Sequence, residues 1–241
     1  HAYLKIADGC SNFCTYCLIP KIRGAYRSVR EDQLLREAAA LGEVKELVLV
    51  AQDVTKYGSD LTGGENLVRL IRKLSALENV RKIRLLYCYP ESVNEELIDE
   101  IAANDKVLKY IDIPLQHADD AVLKSMNRKG TYKSYLALIK KLKERVRGIA
   151  VRSTFITGFP GESEQAFETL LRFLEEAELF NAGFFKYSKE EGTAAAKMKN
   201  QLPERVKNAR LRKLYAAQKK VVAKTPVSYT HLRAHETSLH L

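Results

Sequence analysis

Three of the four cysteines in the chain, Cys10, Cys14 and Cys17, lie within eight residues of one another. They follow a short apolar run in the stretch DGCSNFCTYCLIP and have the spacing C-x-x-x-C-x-x-C. Disulfide frameworks usually show spaced, even-numbered cysteines in secreted chains, so this cluster indicates metal binding or catalysis instead. The fourth cysteine, Cys88, lies far along the chain and is expected to be a small buried hydrophobe.

The spacing of the three thiols distinguishes between kinds of metal site. A structural zinc site needs four ligands, commonly supplied as two separated pairs. Three thiolates on one loop suit three irons of a 4Fe-4S cluster, and they leave the fourth iron without a protein ligand. A zinc knuckle or RNA-binding module that lacks one ligand stays open as an alternative, whereas a simple electron carrier would use a fully ligated cluster.

Length and composition are those of a globular protein. The chain has 241 residues, of which 46% are hydrophobic, enough for one large domain or two small ones with a substantial core. It contains neither an apolar run of eighteen residues nor a charged-then-apolar leader. We therefore expect a cytoplasmic protein with no membrane partner.

The net charge of +10 is concentrated near the end of the chain. Between residues 197 and 224 there are ten Lys or Arg residues and one acid, Glu204. Attraction to nucleic acid or to a ribonucleoprotein would be localised there, although a charge run is more often the solvated face of a helix.

Hydrophobic periodicity predicts an alternation of strands and helices. The predicted strands are 3–6, 46–50, 82–86, 110–113, 150–156 and 183–186, and the predicted helices are 31–41, 67–77, 93–103, 120–126, 132–146 and 163–177. Such alternation favours an α/β fold with a parallel sheet, either doubly wound or a barrel or partial barrel. Both place chemistry at the carboxyl ends of the strands, where Gln52, Asp53, Gln116 and His117 fall.

The segment GCSNFCTYC, after a first strand and at the start of a βα repeat, resembles the cluster loop of the radical S-adenosylmethionine (radical SAM) superfamily. The resemblance implies a parallel (β/α)6 partial TIM barrel and a 4Fe-4S cluster on Cys10, Cys14 and Cys17. In that superfamily the open iron binds SAM, and an electron from the cluster cleaves SAM to a 5'-deoxyadenosyl radical that abstracts hydrogen. The protein's part is to position the cofactor and exclude water.

Five further segments, within about residues 3–222, resemble the radical SAM methylthiotransferases: PKIRGAYRSVR, VAQDVTKYGSD, IPLQHADDAVLKSMNR, RSTFITGFPGESEQAF and FFKYSKEEGTAAAKM. One branch of that family modifies an adenosine of tRNA, and the other modifies an aspartate of small-subunit ribosomal protein twelve. Asp53, IPLQHA and FKYSKEEGT are similar to the ribosomal-protein branch, which we favour over the tRNA branch.

The resemblance also implies roles for single residues. Tyr16 would lie beside the adenine of SAM, or else pack within the loop. Arg152, Ile156 and Gly158 match positions near SAM, where Arg152 would pair with the SAM carboxylate or form a structural ion pair. Gly158 would allow close approach of a ligand, or build the turn into the next helix.

Polar residues that follow the strands are candidates for the mouth of the cavity. Gln52, Asp53 and Gln116 are expected to line it on the cofactor side. His117 is expected to be a hydrogen-bonding residue that supports the site, with acid-base catalysis as the alternative.

The resemblance predicts a domain organisation as well. Residues 1–200 would form the radical SAM core, 201–224 a basic amphipathic helix and 225–241 a tail foreign to the protein. An N-terminal domain with a second 4Fe-4S cluster and a C-terminal TRAM-like β-barrel, both usual in the family, would be absent. The expected partners are a small-subunit ribosomal protein or the ribosome, an electron donor such as flavodoxin or ferredoxin, and tRNA in the alternative.

Overall fold

The computed structural model of the protein describes residues 1–224, and it contains one six-stranded parallel sheet. The sheet strands are β1 (Ala2–Lys5), β4 (Leu47–Val50), β5 (Ile83–Leu85), β6 (Val107–Asp112), β7 (Ala150–Thr157) and β8 (Asn181–Lys186), hydrogen-bonded in that order. A two-stranded antiparallel ribbon, β2 (Ala7–Asp8) with β3 (Arg27–Ser28), stands beside it. All six predicted strands are confirmed within a few residues, whereas the ribbon was not predicted because two-residue strands leave no periodic pattern.

Every neighbouring pair of strands in the large sheet is parallel. Helices form the crossover connections that parallel strands need. They are α1 (Ile19–Ile22), α2 (Glu31–Ala39), α3 (Leu67–Ala76), α4 (Glu95–Ala103), α5 (Asp120–Ser125), α6 (Tyr132–Arg145), α7 (Glu164–Ala177) and α8 (Glu204–Lys224). Because β1 and β8 are the two edges of the sheet, the fold is the expected (β/α)6 partial barrel and not a closed one.

Side-chain caps set where several of these helices begin. The Ser163 hydroxyl accepts a hydrogen bond from the Ala166 N–H at 3.0 Å, as the predicted start of that helix requires. The predicted helix 93–103 begins later, at Glu95, because the Asn94 side chain accepts from the Leu97 N–H at 2.9 Å and so acts as its cap.

The main core lies between the sheet and the helices. In β7, Val151, Ser153 and Phe155 are buried, while the alternate residues Arg152 and Ile156 are half-buried on the opposite face. The Phe155 ring packs 6.2 Å from that of Phe173 in α7, measured between ring centroids, so the buried face is the one covered by helices. The other face is the inner face of the partial barrel, where side chains remain accessible to ligands.

No helix within residues 1–224 combines the length and the apolar character that crossing a bilayer would require.

Replacing Phe173 with alanine is expected to lower the free energy of unfolding by about 3–5 kcal/mol, the usual loss for a fully buried phenylalanine. Phe173 is 0% exposed, and its ring also packs against Tyr132 at 5.3 Å. Urea denaturation followed by circular dichroism measures the change. As a control, Glu175→Ala alters an exposed residue of the same helix and should stay within about 0.5 kcal/mol; equal losses in both variants would contradict this packing.

Candidate functional site

The cysteine loop, residues 9–18, runs from the ribbon to α1 at the carboxyl end of β1. It starts with Gly9 at a φ of +73°, where an added Cβ would lie 2.1 Å from the Ala25 carbonyl oxygen. The Cys10 N–H donates to the Gly24 carbonyl at 3.1 Å, which fixes the first ligand position. Only glycine fits at position 9, so the ribbon and the loop are built as one unit.

A second segment, residues 125–128 at the end of α5, holds the cysteine loop through hydrogen bonds. The Thr15 N–H donates to the Met126 carbonyl at 3.1 Å, and the Thr15 hydroxyl donates to the Ser125 carbonyl at 2.8 Å. The Asn127 side chain donates to the carbonyls of Asn12 and Phe13 at 3.2 and 3.0 Å. We call residues 125–128 the clamp; it satisfies loop carbonyls that lie outside any helix or strand.

Asp53, predicted to line the cofactor cavity, is hydrogen-bonded to the cysteine loop. Its carboxylate is 0% exposed and accepts hydrogen bonds from the Asn12 side chain at 3.1 Å and the Thr55 N–H at 3.1 Å. Lys56 in turn donates to the Asn12 side-chain oxygen. The carboxylate therefore contacts the cysteine loop through the Asn12 side chain.

The three thiols are free and half-buried. Burial raises the pKa of Cys10 and of Cys17, and the neighbouring Cys14 raises both further. Cys14 and Cys17 line a cavity of about 480 Å³, together with Phe13, Lys21 and Lys197. Thiols that share a loop and open onto a cavity are the donor set that a 4Fe-4S cluster with one open iron requires.

Cys88 does not join this set. It is 0% exposed within the main core, and burial raises its pKa well above the usual value, as expected for a small buried hydrophobe. Among residues 1–224, no three His, Cys, Asp or Glu side chains converge so as to hold a single metal ion. A closed tetrahedral zinc site needs four convergent ligands, so the donor set present fits the cluster better.

Tyr16 and Ile156 share one apolar wall of the site. Both pack against a small cluster that is separate from the main core and includes Phe159. The rings of Tyr16 and Phe159 meet edge to face with centroids 6.5 Å apart. Burial, and next the proximity of Cys14, raise the pKa of Tyr16 well above its usual value, so the phenol stays protonated.

Gln116 and Gln52, predicted at the mouth of the cavity, lie at the carboxyl edge of the sheet. Gln116 has a φ of +73°, unusual for a residue with a side chain. Its N–H donates to the Thr154 carbonyl at 2.8 Å and its carbonyl accepts from the Ile156 N–H at 2.7 Å, so it extends the pairing of β6 with β7. The side-chain oxygen of Gln52 is buried without a hydrogen-bond partner among residues 1–224 and so can accept from a ligand.

Arg152 lies deeper on the inner face, in an ion pair with Asp112 of the neighbouring strand. Its guanidinium donates to the Asp112 carboxylate at 2.9 Å, and the two side chains are 28% and 3% exposed. This pair corresponds to the second of the two predicted roles, the structural ion pair.

Glu162, which the sequence did not single out, is the most connected side chain at this end of the sheet. Its buried carboxylate accepts from the Gly158 N–H at 2.6 Å, the Thr157 hydroxyl at 3.1 Å and the Arg210 guanidinium at 2.7 Å. Burial alone would raise its pKa, but His117, Arg210 and the Gly158 N–H together hold the pKa below its usual value. The charged carboxylate therefore fixes the turn that follows β7.

His117 belongs to the same network. It is 0% exposed, its Nδ1 accepts from the Asp119 N–H at 2.9 Å, and its Nε2 lies 3.6 Å from the Glu162 carboxylate. Since Nδ1 is an acceptor, the proton of the neutral ring is on Nε2, facing Glu162. This arrangement agrees with the predicted supporting role.

Gly158, predicted either to allow close approach of a ligand or to build the turn into the next helix, lies against α8. At its φ of +76°, an added Cβ would lie 2.4 Å from the Cγ of Lys207 in α8. The Lys207 ammonium donates to the Tyr187 carbonyl at 3.0 Å. Lys207 and Arg210 are each only 6% exposed, so two cations of the basic helix are used inside the protein.

Comparison with known proteins defines the class to which this fold and site belong. The profile of the radical SAM superfamily matches residues 4–174. Among solved structures, coproporphyrinogen III oxidase (HemN) from Escherichia coli, a radical SAM enzyme, aligns with a TM-score of 0.65 and 17% identity over 91% of this chain and 52% of that one. The chain therefore belongs to the radical SAM superfamily, and membership implies a 4Fe-4S cluster and SAM.

Closer relatives share one name. The chain is 51% identical over 222 residues to the ribosomal protein uS12 methylthiotransferase RimO of Clostridium botulinum (strain Eklund 17B / Type B), and 52% identical over 223 residues to that of Clostridium kluyveri. The alignments cover 91% and 92% of this chain. The chain spans about half, 50%, of the length of each of these two curated relatives.

Replacing Glu162 with glutamine is expected to lower the free energy of unfolding at pH 7 by about 3–5 kcal/mol, because it removes the buried carboxylate that pairs with Arg210 and leaves this buried guanidinium only the exposed Glu164 as a counter-charge. A carboxyl whose pKa is lowered by folding stabilises the native state above its unfolded pKa and loses that contribution as the pH falls. The difference between wild type and variant should therefore be largest above the unfolded-state pKa, about 4.3, and shrink as the pH falls below it. Urea titrations at several pH values measure it.

Glu164→Gln is the matched control, because Glu164 also pairs with Arg210 but its side chain is 61% exposed. An exposed pair contributes at most about 1 kcal/mol. A Glu162→Gln loss as small as that of the control, or one independent of pH, would contradict the central role of Glu162.

Proposed function

We propose that this chain is the radical SAM core of a methylthiotransferase that modifies an aspartate of small-subunit ribosomal protein uS12. The observation that carries the proposal is the 51% identity to a uS12 methylthiotransferase across 91% of this chain. The cysteine loop supports the proposal, because it carries three free thiols, two of which, Cys14 and Cys17, line a cavity.

In the proposed enzyme, Cys10, Cys14 and Cys17 hold the 4Fe-4S cluster. When bound there, the cluster and SAM supply the one-electron cleavage that generates the radical. Tyr16 and Ile156 form the apolar wall against which the adenine of SAM packs. Gln52 offers its unpartnered oxygen to a hydrogen-bond donor of SAM.

Other predicted cofactor residues act through their neighbours. Asp53 holds Asn12 within the cysteine loop, Gln116 hydrogen-bonds the carboxyl-terminal part of β7, and Gly158 lets α8 pack against the turn that contains Phe159. Arg152, which pairs with Asp112 on the inner face and is 28% exposed, would contribute positive charge near the carboxylate of SAM. We infer that these residues keep the cavity rigid so that SAM is bound in one orientation.

The domain organisation is also a proposal. Residues 1–200 form the core, and the helix predicted over 201–224 belongs to the same unit, because α8 contributes buried contacts to the turn after β7. A second cluster and a substrate-docking domain would occupy the part of the relatives that this chain does not span. The prediction of a foreign tail at 225–241 lies outside the described residues.

The partners follow from this reading. The enzyme would receive electrons from a small redox protein such as flavodoxin or ferredoxin, and it would meet uS12 as a free protein or on the ribosome. A cytoplasmic location is consistent with both.

After anaerobic reconstitution, the chain is expected to bind about four irons and four sulfides and, with dithionite, to cleave SAM to 5'-deoxyadenosine and methionine. Alanine at Cys10, Cys14 or Cys17 should abolish SAM cleavage and most of the iron, because each thiol binds one iron. Iron and sulfide assays with chromatography of the products measure both effects.

Cys88→Ala is the control for loss of a thiol, and it should retain full iron content because Cys88 lies in the core. Stoichiometric zinc in a colourless protein would contradict the cluster assignment. Two clusters per chain would contradict the proposal that the second cluster is bound elsewhere.

Deleting the gene that encodes this chain is expected to remove methylthiolation of the uS12 aspartate while leaving tRNA methylthiolation intact. Mass spectrometry of ribosomal proteins and of digested tRNA from the same cells measures both modifications. Loss of the tRNA modification with unchanged uS12 would overturn the proposed substrate and favour the tRNA branch. Complementation with the Cys14→Ala gene should fail, whereas the Cys88→Ala gene should restore the modification.

A further inference from the structure

Arg128, the last residue of the clamp, is a buried cation without an anionic partner in the described part of the chain. Its side chain is 6% exposed, and none of the ion pairs within 4.0 Å among residues 1–223 includes it. One Nη donates to the Pro114 carbonyl at 2.7 Å, and the guanidinium lies over the Tyr89 ring, 4.0 Å from its centroid. Its Nε is buried with no hydrogen-bond partner.

A buried guanidinium without a counter-charge is costly, because desolvation of an ion is not offset by neutral partners alone. Three tyrosines and one thiol are close enough to interact with this charge: Tyr16, Tyr89, Tyr135 and Cys14. A tyrosine phenol has a reference pKa of about 10, so these three side chains are neutral at pH 7. Cys14 is the group among them that becomes an anion when it binds a metal.

From this arrangement we propose that Arg128 is the fixed counter-charge of the Cys14 thiolate and raises the reduction potential of the cluster. The inference rests on the proposed function, which assigns Cys14 as a cluster ligand. Reduction adds one electron, from an external low-potential donor, to a cluster that already carries three thiolate charges. No bond forms or breaks in this step, and the added negative charge lies near the guanidinium. A nearby fixed cation therefore stabilises the reduced state more than the oxidised one.

Two features hold the charge in place. The clamp that carries Arg128 also binds the cysteine loop through Thr15, so the guanidinium and Cys14 keep their relative position. The Tyr89 ring covers the guanidinium, and burial keeps it from water. Inside the protein the effective dielectric is lower than in solvent, and salt does not screen the interaction as it does at the surface.

The test is a redox titration of the cluster-loaded 241-residue chain, followed by electron paramagnetic resonance without SAM. Arg128→Gln should lower the potential by at least 59 mV, the equivalent of a tenfold fall in the one-electron equilibrium constant. Arg128→Lys keeps the charge and should recover more than half of that shift. Arg172→Gln removes an exposed arginine that also faces a tyrosine ring, Tyr132 at 5.9 Å, and should leave the potential unchanged.

A potential is a property of the loaded molecules, so it can be measured on whatever fraction takes up the cluster. If Arg128→Gln loads none, Tyr89→Leu substitutes for it: removal of the ring exposes the guanidinium to water, and the potential should fall in the same direction by a smaller amount. A lysine variant that shifts as far as the glutamine variant would show that packing, and not charge, is responsible.

The two proposals fail in different ways. A wild-type chain that binds no cluster would overturn the proposed function and this inference with it. A chain that loads one cluster, cleaves SAM and shows the same potential in wild type and Arg128→Gln would overturn only the role of Arg128. An effect of Arg128→Gln that appears only after SAM is added would also overturn it, since the arginine would then act on SAM and not on the cluster.

Discussion

The carboxylate of Glu162 is the interaction on which this end of the fold depends. It connects the turn after β7, the histidine after β6 and the helix α8, three parts that are distant in the chain. A charged carboxylate that is only 3% exposed is stable only when its oxygens accept hydrogen bonds. Here the Thr157 hydroxyl, the Gly158 N–H and the Arg210 guanidinium donate them. Because each partner also depends on Glu162, the turn, the imidazole and the helix cannot move independently.

The cysteine loop shows the same dependence on distant partners. Asn12 is held by Asp53 and Asn127, and Thr15 by the end of α5 and the Ala195 N–H at 2.8 Å. Residues with positive φ, unusual when they are not glycine, recur in the loops of this edge, at Phe13, Tyr87 and Gln116. Such conformations cost about 1–3 kcal/mol each and persist only where the surroundings enforce them. Hydrogen bonds from these distant partners restrict where the loop can place its three thiols.

Local patterns in the sequence account for much of the fold but for less of the site. Periodicity located all six sheet strands, because each is a short apolar run between amphipathic helices. The spacing of the three clustered cysteines was by itself enough to predict a metal site. Asp53 and Gly158 were assigned to the right end of the sheet, but their neighbours in the fold, Asn12 and Lys207, could not be predicted from local patterns. Glu162 and Arg128 were missed, since their importance comes from burial and from residues dozens of positions away.

Counting charges along α8 overstates the positive surface that the helix presents. Lys207 and Arg210 are buried, and Lys213 lies 3.9 Å from the Glu164 carboxylate. The outward charge within residues 204–223 is then carried mainly by four exposed side chains, namely Arg205, Arg212, Lys219 and Lys220. Attraction of an RNA-rich partner to this helix would come from these four and would weaken steeply with salt. The buried cations Lys207 and Arg210 do not contribute to this surface, because they fix α8 against the turn after β7. A helix fixed in this way holds its exposed charges at a defined distance from the cysteine loop.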